Sequence, residues 1–141
     1  MALAFAALAV ASPVMAACKL EKIAEMPVKS DGDRIEIEAL IDDEPVELMV
    51  DTGASFSTLS PAAVGRLGLS IRDVTDPDLL VVLGRTHAQR TMIQSLKLGA
   101  LVGGRRRIVV SDDGLPSGDA IAGAIGVDVL ARSDVAARQS G

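Results

Sequence analysis

The chain has 141 residues, enough for one domain with a real core and too few for two. Nearly half are apolar (49%), which excludes disorder, and aromatics reach only 1% with no Trp or Tyr, so the core must be Val, Ile, Leu, Ala and Met. A formal charge of -5 argues against a nucleic-acid binder, which presents a basic face.

Residues 1–17 carry no charge. The apolar run Met1 to Val10 is too short for a membrane span and suits the core of a signal peptide, with Ser12-Pro13 breaking it and Ala16 and Ala17 following. Export to the periplasm or envelope of a bacterium is expected; a buried N-terminal helix is the alternative. Cys18 is the single cysteine, so no internal disulfide forms. Its place after Met15-Ala16-Ala17 resembles a bacterial lipoprotein lipobox, which leaves two readings open: lipidation of Cys18 as a membrane tether, or plain cleavage nearby.

Residues 18–33 read as a linker or a loose first strand. Arg34 to Ala39 alternates with period two, as a half-buried strand does. Asp42 to Pro45 is a turn, and Val46 to Val50 completes a hairpin that delivers Asp51. Phe56 to Leu59 is a short strand. Ser60 to Gly68 predicts a short helix with Ser60 as cap, Pro61 in the first turn and Gly68 at the end. Asp76-Pro77 marks a turn, Leu79 to Leu83 a strand, and Gly84 to Gln89 a hairpin tip from which Thr91 to Leu98 returns. Gly99 to Gly104 reads as a turn region and Ile108 to Val110 as a strand. Ser111 to Asp119 is a loop, Ala120 to Ile125 a buried strand ended by Gly126, and Val127 to Arg132 one or two helical turns. Many short strands between close turn signals predict a mostly-β sandwich or barrel.

One segment stands out chemically: Val50-Asp51-Thr52-Gly53-Ala54-Ser55. A carboxylate at a strand end, on a tight turn beside a hydroxyl and a residue without a side chain, is placed for general acid/base work. The same triplet is also ordinary turn chemistry. It occurs once, so a pair of such carboxylates requires a second chain. His87 is the single histidine, which leaves little from which to build a Ser–His triad or a His-rich metal site; it reads as a solvent-facing loop residue. Arg105 to Arg107 reads as a solvated turn, with an anionic partner or lipid surface as the alternative. Asp112, Asp113 and Asp119 lack the spacing of a calcium loop, and the glycines from Gly118 to Gly126 do not open a long helix after a strand. No metal and no cofactor are expected.

These residues resemble the retropepsin-like aspartic proteases, in particular their bacterial single-lobe relatives. Three segments carry the resemblance: Val50 to Ser55 after a hairpin; Leu59-Ser60-Pro61 through Arg66-Leu67-Gly68-Leu69; and Ala124-Ile125-Gly126 followed by Val127 to Leu130. It covers residues 34–132. It implies an acid-protease-like single-lobe β barrel with one or two short helices, acting as a homodimeric aspartic endopeptidase on a peptide or protein substrate. One Asp51 from each chain faces the other and the two share a proton. Thr52 then locks the two loops together, Gly53 permits the tight turn beside Ala54, and Ser55 hydrogen-bonds near the Asp51 carboxylate. Ile125 and Gly126 support the loop, and a flap with Gly84, Arg85, Thr86 and His87 at its tip covers the substrate. Residues 133–141 form a short polar tail where the family continues through a further strand, so a truncated end is expected. The alternative function is a non-catalytic exported β domain that keeps the fold and binds peptide or protein. A lipid-anchored structural role, resting on Cys18, is a third.

Overall fold

The structure, a computed structural model, describes residues 25–75, 84, 87–118 and 120–131. The leader, Cys18, the Asp76-Pro77 turn, the Leu79 to Leu83 strand, Arg85, Thr86 and the tail 133–141 lie outside the described residues.

Ten strands and two short helices follow one another in the described residues. They are β1 (Val28–Asp31), β2 (Arg34–Ile41), β3 (Glu44–Val50), β4 (Thr58–Leu59), α1 (Pro61–Arg66), β5 (Ile71–Asp73), β6 (Gln89–Ile93), β7 (Leu96–Leu98), β8 (Leu101–Gly103), β9 (Arg106–Val110), β10 (Gly123–Ile125) and α2 (Val127–Leu130). The strands join in one sheet in the order β5-β6-β9-β4-β10-β3-β2-β7-β8, with β1 added beside β2. The fold is mostly β, as expected, but the ladder does not close: it starts at β5 and ends at β8, each a three-residue strand.

The sheet encloses one aliphatic core. Ile37 and Ile41 of β2, Leu48 of β3, Leu59 of β4, Val64 of α1, Ile93 of β6, Leu96 of β7, Ile108 of β9 and Ile125 of β10 all belong to it. Each such side chain, fully buried, contributes about 1.5–3 kcal/mol. In β2 the buried residues are Ile37, Ala39 and Ile41 while Glu38 is exposed, which is the alternation written in the sequence.

The β2–β3 hairpin turns on two residues, Asp42 and Asp43, with φ of 51° and 70°. Positive φ at both central positions matches the right-handed strand twist, and aspartate tolerates it better than most residues. Asp42 also ties this turn to the β6–β7 connection. Its Oδ1 accepts from the backbone N–H groups of Gln94 (2.7 Å) and Ser95 (2.8 Å), and its own N–H donates to the Ser95 carbonyl (3.2 Å).

Helix α1 starts and stops as its sequence dictates. The Ser60 hydroxyl accepts from the Ala63 N–H (3.1 Å), and Pro61 occupies the first turn. At the other end Gly68 has φ 64°, its N–H donates to the Gly65 carbonyl (3.1 Å), and the Leu69 N–H donates to the Val64 carbonyl (3.0 Å). The Ser60 N–H donates to the Ala122 carbonyl (2.8 Å), so the helix is pinned to the segment leading into β10.

Two sequence expectations are corrected. The Gly99 to Gly104 region is not all turn: Gly99 (φ 56°) and Ala100 make the turn, and Leu101–Gly103 returns as β8 against β7. Arg105 to Arg107 is not a solvated turn throughout, because Arg106 and Arg107 begin β9. The Arg106 guanidinium packs so close to Gly103 that a Cβ there would lie 2.8 Å from it.

Candidate active site

β3 is apolar where it meets the core, through Val46 and Leu48, and delivers Asp51 at its C-terminal end. Asp51 is half-buried, and the residues after it, Thr52 and Gly53, are exposed at the tip of the loop. Three hydrogen bonds from backbone N–H groups define the turn. The Asp51 N–H donates to the Ile125 carbonyl (3.0 Å), the Gly53 N–H donates to Asp51 Oδ1 (2.9 Å), and the Ala54 N–H donates to the Asp51 carbonyl (3.3 Å). The Gly53 bond fixes the carboxylate orientation from within its own turn. A Cβ on Gly53 would sit 3.3 Å from Asp51 Oδ1, so a side chain there would press on the carboxylate.

The loop is straddled by its own strands. β10 runs between β3 and β4, parallel to the first (Ile125 opposite Val50) and antiparallel to the second (Ala124 opposite Thr58). The outgoing and returning limbs of the loop therefore lie on either side of one buried strand. Ile125 and Gly126, expected from the sequence beside this loop, lie there: Ile125 bonds Asp51, and the next N–H after Gly126, that of Val127, donates to the Ala54 carbonyl (2.8 Å). Backbone approach is close enough to require glycine. A Cβ on Gly126 would lie 2.7 Å from the Phe56 carbonyl carbon, and one on Gly123 only 2.0 Å from the Thr58 oxygen.

Ser55 departs from its expected role. It is exposed, and the carboxylate of Asp51 is met by the Gly53 N–H instead. The buried hydroxyl of the loop belongs to Ser57, which accepts from the Gly126 N–H (3.0 Å) and donates to Asp128 Oδ1 (2.7 Å). The Ser57 N–H donates to the same oxygen (2.8 Å). Ser57, Gly123 and Asp128 were not singled out from the sequence. Asp128 sits in the first turn of α2, where a carboxylate suits the helix end, and that was the one local signal available.

Of the segment expected to form a flap, the structure describes only Gly84, His87 and the strands at its foot. β5 pairs antiparallel with β6, and the Val74 N–H donates to the Ala88 carbonyl (2.8 Å), extending the ladder toward the tip. Gly84 has φ 63° and is exposed, and His87 is exposed; Arg85 and Thr86 lie outside the described residues. β5 was missed because all three of its residues are exposed, leaving no alternating pattern to read.

An open pocket of about 370 Å³ adjoins the loop, lined by Phe56, Ser57, Arg90, Arg107, Val109 and Asp128. A larger groove of about 580 Å³ lies on the β1–β3 surface and includes no residue of the Asp51 loop. Both of its lysines are paired: Lys29 Nζ meets Glu47 (2.8 Å) and Glu38 (3.3 Å), and Lys97 Nζ meets Asp43 (2.6 Å). The hydrogen bond to Glu47, then that to Glu38, hold the Lys29 ammonium above its ordinary pKa. Among the described residues no three His, Cys, Asp or Glu side chains converge as a metal site would need.

The family model for aspartyl proteases matches residues 37–129. Among curated proteins none matches. A crystal structure of a retropepsin-like aspartic protease from Rickettsia conorii is similar in fold, with a TM-score of 0.51 and 20% identity over 76% of this chain and 77% of that one. EIAV protease in complex with the inhibitor HBY-793 aligns with a TM-score of 0.49 and 19% identity over 84% of this chain and 100% of that one. With a family match that spans the Asp51 loop, its supporting strand β10 and most of α2, the chain belongs to the aspartyl protease family, and its fold is like that of a retropepsin-like protease.

Proposed function

We propose that the chain is an aspartic endopeptidase that works as a homodimer, with Asp51 of each subunit facing the other. The observation that carries this is the Asp51 turn itself. One carboxylate, oriented by the Gly53 N–H, stands on a loop whose tip is exposed and whose sequence occurs once in the chain. A lone carboxylate is half of the acid/base pair that peptide hydrolysis needs, and the exposed tip offers the surface across which a second copy supplies the other half.

Two carboxylates held close together do not both ionise, so they keep one proton between them. The ionised Asp51 takes a proton from a bound water as its oxygen attacks the peptide carbonyl carbon. The protonated Asp51 of the partner subunit donates to the carbonyl oxygen, giving a tetrahedral diol. Proton return to the amide nitrogen then breaks the C–N bond and releases an acid and an amine. In this dimer Thr52, exposed next to Asp51, braces one loop against the other, a role its exposure supports. The uncharged apolar stretch 1–17 supports export as the companion proposal.

The test is cleavage of a diverse peptide mixture from about pH 3 to 7 by the parent chain and by Asp51→Asn, with the oligomeric state measured in parallel. Cleavage by the parent alone, from a dimer, is expected. Equal behaviour of the two proteins, both folded and dimeric, would overturn the protease assignment in favour of a peptide-binding domain.

A further inference from the structure

The face of the sheet beside the Asp51 loop carries a diagonal row of arginines. Arg72 of β5 stands directly opposite Arg90 of β6, and Arg107 of β9 is opposite Met92, one diagonal step from Arg90. Ile108 and Val110 point into the core, so Arg107 and Val109 belong to the other face, together with Arg90 and Met92. Like charges directly opposite on neighbouring strands repel. No ion pair of these three arginines appears among the described residues, and they gather on a chain whose net charge is -5.

Arg90 and Arg107 both line the pocket that also includes Phe56, Val109, Ser57 and Asp128. Asp128 offers only partial compensation, since its Oδ1 already accepts two hydrogen bonds from Ser57. The site thus combines two guanidinium forks, which suit a carboxylate geometrically, with an apolar wall from Phe56 and Val109. It lies between the base of the β5–β6 hairpin and the loop that bears Asp51.

We infer that this pocket receives an acidic side chain of the bound peptide, making the chain selective for substrates with Asp or Glu near the cleaved bond. This rests on the protease reading proposed above. Phe56 follows Asp51 by five positions, so the pocket wall is within about 18 Å of the carboxylate, the longest span of five residues. An extended peptide advances about 3.3 Å per residue, which puts the acidic side chain within roughly five residues of the cleaved bond. In a symmetric dimer the pocket occurs twice, once on each side of that bond.

A set of peptides carrying Glu, Gln or Lys at each position up to about five residues either side of a central bond tests this. Cleavage is measured with the parent chain, and binding with Asp51→Asn. At one position on each side Glu should be favoured over Gln roughly tenfold, with Lys poorest, and the double variant Arg90→Gln/Arg107→Gln should abolish the Glu preference. Cleavage that treats Glu and Gln alike at every position overturns the inference and leaves the protease reading intact. A Glu preference in binding without cleavage by the parent upholds the pocket and sinks the protease reading. A preference that survives the double variant overturns the assignment to these arginines. Should that variant fail to fold, the Glu-to-Gln ratio of the unaltered chain still decides.

Discussion

The hydroxyl of Ser57 donates to Asp128 across 71 positions of sequence, at 2.7 Å, and the same Ser57 oxygen accepts from the Gly126 N–H. This pair clamps the returning limb of the Asp51 loop to the start of α2. Asp128→Ala leaves the buried Ser57 hydroxyl and N–H without their acceptor and should destabilise the fold by about 1–2 kcal/mol, the partly buried end of the range for hydrogen bonds to charged groups. Asp128→Asn retains an acceptor oxygen and should cost less than half as much. Urea midpoints of the two variants decide; equal losses would mean that the bond to Ser57 is not what holds the clamp.

Glycine substitutions should separate by position. Gly126→Ala drives a methyl into the backbone of Ala54 and Phe56 and is expected to cost roughly 1–3 kcal/mol. Gly123→Ala meets the Thr58 carbonyl at 2.0 Å and should prevent β10 from seating at all. Gly65→Ala, on the exposed side of α1 with nothing within 4 Å of the new methyl, should instead stabilise by about 0.5–1 kcal/mol. Thermal melts of the three, ranked in any other order, would contradict the strand packing described.

The β2–β3 turn offers a test in both directions. Asp42→Ala removes the acceptor for the Gln94 and Ser95 N–H groups and should cost about 1.5–2.5 kcal/mol. Asp43→Gly relieves a φ of 70° and sacrifices only the exposed pair with Lys97, so a net gain of about 0.5 kcal/mol is expected. A loss of stability in Asp43→Gly would show that the ion pair outweighs the backbone conformation.

Lys29 gives a pH-dependent prediction. Its hydrogen bonds to Glu47 and Glu38 raise its pKa in the folded state above the ordinary 10.5. The folded state therefore binds the proton more tightly, so the stabilisation is fully present below 10.5 and is lost as pH rises through the higher folded value. The urea midpoint of the parent should exceed that of Lys29→Gln at about pH 9, and the gap should narrow as pH rises above the ordinary lysine value. Because the ammonium is exposed, the gap should also shrink with added salt.

Legibility in the sequence tracks how local the determinants are. The hairpin ending at Asp51 was readable because Ile37, Ala39 and Ile41 alternate with polar residues, and α1 because Ser60, Pro61 and Gly68 each act within their own turn. β5 and β8 were not, since Ile71 is 42% exposed and Val102 70% exposed, and both strands exist through backbone pairing to a neighbour. The run Arg105 to Arg107 looked like solvent-facing charge because its pairing partner, β6, is set by the fold and not by nearby residues. Asp51 itself was visible as a motif. The Ser57–Asp128 clamp was not, because no local pattern links residues that far apart.

The insertion of β10 between β3 and β4 also sets an order of events. Leu48 and Gly123, register partners in that insertion, are separated by 75 positions (123 minus 48), so their pairing closes one of the longest loops in the sheet. Entropy makes such closures late and slow. While the chain is being synthesised, the hairpin ending at Asp51 is complete long before the strand that fixes its carboxylate loop has emerged. The Asp51 loop thus acquires its shape at the end of folding, and a nascent or prematurely released chain carries Asp51 as an ordinary surface aspartate.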